Sequence, residues 1–381
     1  MSKHLRKRTL LVVSDTSMRQ IGNAVLAYEP VMRELDALCE IFDEIIWLGC
    51  NDNRAGRILS EIQNPKIKPI VMPSVHNRLF NVFFVALAYP VFIFSILQHL
   101  HRATYIQSRG PSHPAFISIL ISLFDKKRTY WHKYAGDWFK KSVPFTYRIQ
   151  RSVLTKAARD NVFVTISGKY HIENNHIAGF ENPCLTTDER GIAIRLAKQK
   201  DFSGNLTLVF VGSIVSNKGV TQLITALASK DLNSKIQKVY LAGSGPLQNI
   251  IKQQASSINR NVIVTGQLTR DQLAELYAES HIIILPTESE GFPKVIAEGT
   301  AYGCIPVVTN ISAIPQYIAH GDNGFLLNSN SPQHIVDVLN NICSLDIQTL
   351  SAISSAATLM SQDFTYSHYI SRLEKMLSVP S

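Results

Sequence analysis

The sequence predicts an α/β protein of two doubly wound, Rossmann-like domains facing each other across a cleft. Short apolar runs alternate with helix-patterned stretches along nearly the whole chain, as parallel strands and their crossover helices do. A stretch from Gly179 to Asp201, with no clear pattern at its start, divides that alternation into two series. The 381 residues are enough for two cores.

The first series reads as strands over Thr9–Asp15, Glu44–Leu48, Lys68–Met72, Tyr105–Gln107 and Arg128–Trp131, with Asn161–Ile166 as the last. Each is a brief, nearly continuous run of β-branched and aromatic residues, expected where a sheet is covered on both faces. Pro30–Phe42 and Pro114–Phe124 read as helices, each with proline at its start, where a missing N–H costs nothing. The second series places strands at Leu206–Val211, Lys238–Leu241, Val262–Thr265, Ile282–Leu285 and Ile305–Val308. A short helix over Asp188–Lys200 precedes it, and a last helix covers Tyr366–Leu377. The expected division is 1–185, 200–360 and a terminal segment 361–381. There is no internal repeat and no low-complexity tract.

One stretch carries chemistry. His281 to Thr309 forms a complete strand–loop–helix–strand unit: an apolar strand, a polar glycine loop, Pro293 at the helix start, Gly303 at its end, and the next strand. Such a unit points free backbone N–H groups at the carboxyl edge of its sheet and suits a phosphate. Glu290 and Glu298 flank that helix start. A carboxylate only accepts hydrogen bonds and can grip two neighbouring hydroxyls at once. A phosphate site with two such acceptors suits a nucleotide carrying a sugar.

Glu290-Gly291-Phe292, Glu298, Ala301, Gly303, Pro306-Val307-Val308 and Gly321-Asp322-Asn323-Gly324 occur here in that order. Upstream stand Val209 to Lys218-Gly219 and Leu241 to Pro246. Together these blocks resemble the donor half of the retaining family 4 (group 1) glycosyltransferases, from about Leu206 to Leu327. The resemblance implies the GT-B architecture, with an acceptor-binding first domain and a nucleotide-sugar-binding second one. It also implies that the last helix returns to the first domain. It assigns the donor to Gly212, Ser213, Lys218, Gly243, Gly245, Glu290, Gly291, Phe292, Pro293, Lys294, Val295 and Glu298. Lys218 falls to the diphosphate, where a cation offsets charge growing on the leaving group. The family usually carries an arginine a few residues before that lysine. This chain has Ser213, or the neighbouring Ile214, there, so one cation is missing.

The resemblance further places His132, at a strand end, beside the reactive carbon of the sugar, with Glu290 and Lys218 as its catalytic partners. Gly22 and Asn23 stand where the family has a glycine-rich strand–helix loop, and Arg109, His113, Asp137 and Trp138 belong to the same edge of the first sheet. These are the acceptor-side candidates. Glycines after strands also serve tight turns alone, and a histidine at a strand end also caps loops. Retention at the anomeric carbon and transfer of the acceptor proton to the departing phosphate are likewise implied by the family. A retaining hydrolase would instead need two acids about 5 Å apart across the bond, one as nucleophile.

Charge and composition narrow the setting. Up to Arg190 the chain holds 25 lysines and arginines against 16 acids, and the remainder is balanced at 13 and 13. The whole net charge of +9 therefore sits in the first half. A basic half suits an anionic membrane surface or substrate, and no zinc spacing, helix-turn-helix or aromatic RNA-binding motif points to nucleic acid. Leu79–Leu100 is apolar without a formal charge, interrupted by Asn81 and a Tyr89-Pro90 break. It is long enough to span a bilayer, yet reads rather as a helix packed in the domain, either partly open to a membrane surface or wholly buried in the core. Five scattered cysteines without CxxC or metal spacing read as reduced thiols. With Leu10–Val13 too short for a signal peptide, the expected location is cytoplasmic, peripheral on the inner face of the plasma membrane. No Asp-x-Asp triplet is present, and neither metal nor cofactor is expected. The function expected is transfer of a sugar from a nucleoside-diphosphate sugar to a saccharide, lipid-linked, in bacterial capsule, O-antigen or exopolysaccharide assembly. A GT-B nucleotide-sugar epimerase and a non-catalytic membrane or nucleic-acid binding protein are the alternatives.

Overall fold

The computed structural model of the chain describes residues 7–51, 58–74, 81–140, 142–170 and 172–377, for 81–86 the backbone alone. Leu79 and Phe80, the start of the long apolar run, lie outside the described residues. The chain forms two units, one holding the residues up to Phe180 and those from Tyr369 on, the other Glu181–His368.

Unit one begins with β1 (Thr9–Ile21), β2 (Ala24–Tyr28), α1 (Glu29–Leu38), β3 (Glu44–Asn51), β4 (Leu59–Glu61) and β5 (Ile67–Met72). It continues with α2 (Asn81–Leu100), β6 (Tyr105–Gly110), α3 (His113–Phe124), β7 (Thr129–Tyr134), α4 (Phe145–Ala157), β8 (Val162–Ser167) and β9 (Ile177–Phe180). Seven strands run parallel in the order β5-β3-β1-β6-β7-β8-β9, while β2 and β4 pair antiparallel on the far end of β1. The strand order reverses at β1 and β6, so side chains at the carboxyl ends of that pair face the ligand edge of this sheet.

Two layers cover the sheet. Ala88, Phe92 and Ile96, four residues apart on α2, bury against Leu11, Val13, Leu48, Ile106 and Ile117. This packing carries the helix through Pro90, where the sequence predicts a break. No helix among the described residues is long and apolar enough to cross a membrane. The opposite layer holds Leu35 and Leu38 of α1 with Trp47, Trp131 and Phe180.

Unit two holds α5 (Thr187–Ala197), β10 (Leu206–Val211), α6 (Val220–Leu227), β11 (Ile236–Ala242), α7 (Gln248–Ser256), β12 (Asn261–Gly266) and α8 (Arg270–Glu279). Then come β13 (Ile282–Leu285), α9 (Lys294–Ala301), β14 (Ile305–Thr309), β15 (Phe325–Leu327), α10 (Pro332–Ser344) and α11 (Ile347–Met360). Its six strands are parallel in the order β12-β11-β10-β13-β14-β15. The order reverses between β10 and β13, and the turns leaving those two strands hold the residues of greatest interest. The final helix, α12 (Tyr366–Leu377), places Tyr369 and Leu373 in the second core layer of unit one. All five cysteines are buried thiols.

Candidate functional site

In unit two, β10 ends at Val211 and the chain turns through Gly212 and Ser213 into a short 3-10 turn, Ser216–Lys218. Gly219 follows with φ 73°, and a Cβ there would stand 2.0 Å from the Pro286 carbonyl oxygen. Only glycine lets the two switch-point turns touch. The Thr287 hydroxyl, fully buried, donates to the Asn217 carbonyl at 3.0 Å, and the Glu288 N–H donates to the same oxygen at 2.9 Å. These bonds latch the loop after β13 onto the turn after β10. Lys218 and Glu290 thereby meet as an ion pair, both side chains about four-fifths buried. Burial lowers the Lys218 pKa from the ordinary lysine value.

The Glu290 loop is anchored from below. Phe292 lies 4.6 Å from both the Tyr317 and Phe364 rings, stacked on the latter. Its side chain is buried, so it fixes the loop and does not present itself to a ligand. The Ala313 N–H reaches the Gly291 carbonyl at 3.4 Å, beside Ser312 with its left-handed φ of 51°. Pro293 takes the position before α9 rather than its first turn, and no side chain caps that helix start. The first turn of such a helix offers backbone N–H groups at Lys294 and Val295 to an anion.

Glu298 is not a solvated helix residue. One of its oxygens accepts from the Arg270 guanidinium at 3.3 Å, the other from the Tyr277 hydroxyl at 3.3 Å. Arg270 also donates to Glu189 at 2.6 and 3.2 Å and to the Cys184 carbonyl at 2.7 Å. Against the desolvation that burial imposes, Glu298 and Glu189 raise its pKa and keep it charged. Sequence reasoning missed this arginine, although a signal exists. It opens α8 after the capping Thr269, and a cation at a helix N-terminus opposes the helix dipole unless acids hold it. A carboxylate has about four acceptor sites, so the two bonds to Glu298 leave capacity for hydroxyl groups.

Gly243 and Gly245 have structural explanations. A Cβ on Gly243, φ 140°, would lie 1.8 Å from the Gly212 oxygen, and one on Gly245 would lie 2.4 Å from the Ile214 oxygen. Their missing side chains let the turn after β11 pack against the turn after β10. Gly212 has ordinary space around it, its nearest neighbour being 3.6 Å away.

Unit one corrects several expectations. His132 is a core residue, 1 % exposed, because β7 runs on to Tyr134 and leaves it inside the strand. The Ser108 hydroxyl donates to Nδ1 at 2.6 Å, and Nε2 donates to the Ser122 hydroxyl at 3.1 Å, since Ser122 itself donates to the Ile119 carbonyl. With both nitrogens engaged, it cannot reach a sugar. Burial depresses its pKa from 6.5 to about 3. A group neutral in the fold but protonated in the unfolded chain stabilises fully above pH 6.5 and loses that stability as pH falls toward 3. The expected slope is about 1.4 kcal/mol per pH unit across that window. His132→Gln should flatten the acid limb of a stability–pH curve from chemical denaturation, and an unchanged limb would refute the assignment.

Arg109 is also committed inside the fold. Its guanidinium donates to both oxygens of the fully buried Glu34 at 2.8 and 3.1 Å. The Lys133 ammonium donates to both as well, at 2.8 Å each, and the Tyr369 hydroxyl donates at 3.0 Å. A buried carboxylate needs such partners, so Arg109 and Lys133 serve Glu34 rather than an acceptor. Gly22 and Asn23 form the tip of the β1–β2 hairpin, Gly22 at φ 58°, and not a strand–helix loop. His113 opens α3, its Nδ1 3.2 Å from the Tyr89 hydroxyl. Asp137 accepts from the Phe139 and Lys140 N–H groups and shapes the loop that holds Trp138 after β7.

Two Rossmann-like α/β units, each built on a mainly parallel sheet, make up the GT-B α/β fold of the solved structures that this chain is similar to. Anabaena Alr3699/HepE, solved with UDP and glucose, superposes at TM-score 0.71 with 17 % identity over 98 % of this chain and 100 % of that one. Residues 194–359 match the model of the family described as glycosyl transferases group 1, so this segment of the carboxy-terminal half is similar to that family. An uncharacterised glycosyltransferase of Haemophilus influenzae is 30 % identical over 201 residues, 50 % of this chain and 52 % of that protein. The putative teichuronic acid biosynthesis glycosyltransferase TuaC of Bacillus subtilis is 27 % identical over 171 residues, 40 % of each chain. These matches span about half, or less, of the length of the relatives.

Proposed function

We propose that this protein is a retaining, metal-independent glycosyltransferase. It moves a sugar from a nucleoside-diphosphate sugar to a lipid-linked saccharide in surface polysaccharide assembly, at the inner face of the plasma membrane. The observation that carries the reading is the Lys218–Glu290 pair at the switch point of unit two, beside an uncapped helix start. A diphosphate competes with Glu290 for the Lys218 ammonium and gains the amides of Lys294 and Val295. Glu290, released, accepts hydroxyls of the transferred sugar, and Glu298, held by Arg270, accepts those of the ribose. The bond from the anomeric carbon to the phosphate oxygen breaks. The acceptor oxygen bonds to that carbon, and its proton passes to the departing phosphate. The teichuronic acid assignment of TuaC and the UDP and glucose bound to HepE support the substrate class.

Glu298→Gln tests the donor site. The substitution keeps shape but removes charge-assisted hydrogen bonds, a loss on the order of 1.5–3 kcal/mol in kcat/KM for the donor, with the fold intact. Wild-type turnover at low donor concentration would overturn the assignment. The same assay should run undiminished in excess EDTA, and loss of activity restored by magnesium or manganese would remove the metal-independent part. An epimerised nucleotide sugar released without any acceptor would favour an epimerase instead.

A further inference from the structure

Exposed apolar side chains and exposed cations occur together on or beside three helices of unit one. Helices α2, α3 and α4 lie side by side against its sheet. While Ala88, Phe92 and Ile96 face inward, Leu87, Val91, Phe94 and Leu97 stand exposed on the other side of α2. Phe94 is 67 % exposed. On α3, Leu120 and Phe124 are exposed one turn apart, Phe124 at 85 %. On α4 the pair is Phe145, at 72 %, and Ile149. Scattered surface leucines need no explanation, but three neighbouring helices that each expose phenylalanine form a surface that water does not favour.

The same segment is the most basic of the chain. Residues 81–159 hold twelve lysines and arginines against two aspartates, Asp125 and Asp137. Some of these cations are bound inside the fold, as Arg109 and Lys133 are to Glu34. Others border the apolar face. Lys126 and Lys127 are exposed directly after Phe124, and Arg148 and Lys156 are exposed beside Phe145 and Ile149.

We infer that the face made by α2, α3 and α4 docks on an anionic lipid surface, with Phe94, Phe124 and Phe145 entering the headgroup–acyl boundary and the basic rim meeting headgroup charges. This names the surface behind the membrane setting proposed above. Three features select a bilayer over other occupants. Apolar side chains bordered by cations at the end of α3 and on α4 match the layered chemistry of a lipid interface, with hydrocarbon below and negative charge above. A second copy of the chain would bring the same excess of positive charge against itself. A nucleic acid would answer the cations but leave the phenylalanines in water.

The test uses the full chain and vesicles of equal parts phosphatidylglycerol and phosphatidylcholine. The wild-type protein should sediment with them at low salt and be largely released at high salt. Phe94→Glu combined with Phe124→Glu should weaken binding at least about tenfold. Lys126→Ala with Lys127→Ala should weaken it about fivefold for each cation removed. Phe124→Trp should shift its emission to the blue on vesicle addition, reporting entry of that side chain. Thermal stabilisation by nucleotide sugars should be unchanged in all three variants, which separates failure of this surface from failure of the donor site. Vesicle binding that survives the double glutamate variant, or no emission shift, would overturn the proposal. So would a wild-type dimer in sedimentation velocity that the glutamates dissolve.

Discussion

Lys218→Ala is expected to lower kcat/KM for the donor by about 10²–10³, mostly through kcat. The ammonium is the cation that the switch-point turn brings to Glu290, and Ser213 or Ile214 stands where the resemblance would place a second one. Its value is greatest as charge accumulates on the leaving phosphate, which is why turnover should suffer more than donor binding. The pair is only four-fifths buried and lies at a loop, so the melting temperature should move little. Lys218→Arg should recover part of the rate by restoring charge. Wild-type kcat in the alanine variant would remove Lys218 from the chemistry.

Gly243→Ala should have the largest effect on stability. The new methyl would meet the Gly212 carbonyl oxygen at 1.8 Å, and the backbone at φ 140° is strained for any side chain. Two rigid turns must part to relieve the contact, at a cost of about 3 kcal/mol or more. For a domain of this size that lowers the melting temperature by roughly 6–12 °C. Gly212→Ala, across the same contact, has room for its methyl and should melt within a few degrees of wild type. Equal melting of the two variants would show that the turns do not pack as described.

Where apolar runs meet glycine turns, the sequence was legible almost to the residue. Leu206–Val211 and Ile282–Leu285 are observed over the stated spans, and Tyr366–Leu377 is a helix over its stated length. Four to six apolar residues closed by a turn are too short for a helix and suit a strand covered on both faces. The errors cluster where a boundary decides a side chain's surroundings. With β7 ending at Trp131, His132 would stand at a loop; three more residues of strand turn it inward onto Ser122 of α3. Gly22-Asn23 is a hairpin turn, but the polar Arg19-Gln20 beside it hid the strand that leads there. Nothing local to Arg109 reveals Glu34, which comes from a helix 75 positions earlier. The ties of Arg270 to Glu298 and Glu189 are long-range in the same way. Motif spacing finds side chains that meet a ligand, whereas the groups that hold them in place answer only to the folded chain.

The return of α12 has a consequence for synthesis. Tyr369 packs on Trp131 and Phe180 and bonds to Glu34, so the core of unit one is closed by residues translated after the whole of unit two. At ribosomal rates of about 5–20 residues per second, an interval on the order of 10–40 s separates Phe180 from Tyr369. Through that interval the nascent first unit carries an uncovered aromatic seam and a buried carboxylate lacking one of its donors. A stop codon just short of Tyr369 would therefore leave unit two's sequence whole while denying unit one its last wall. The vulnerable half of the product would be the half made first.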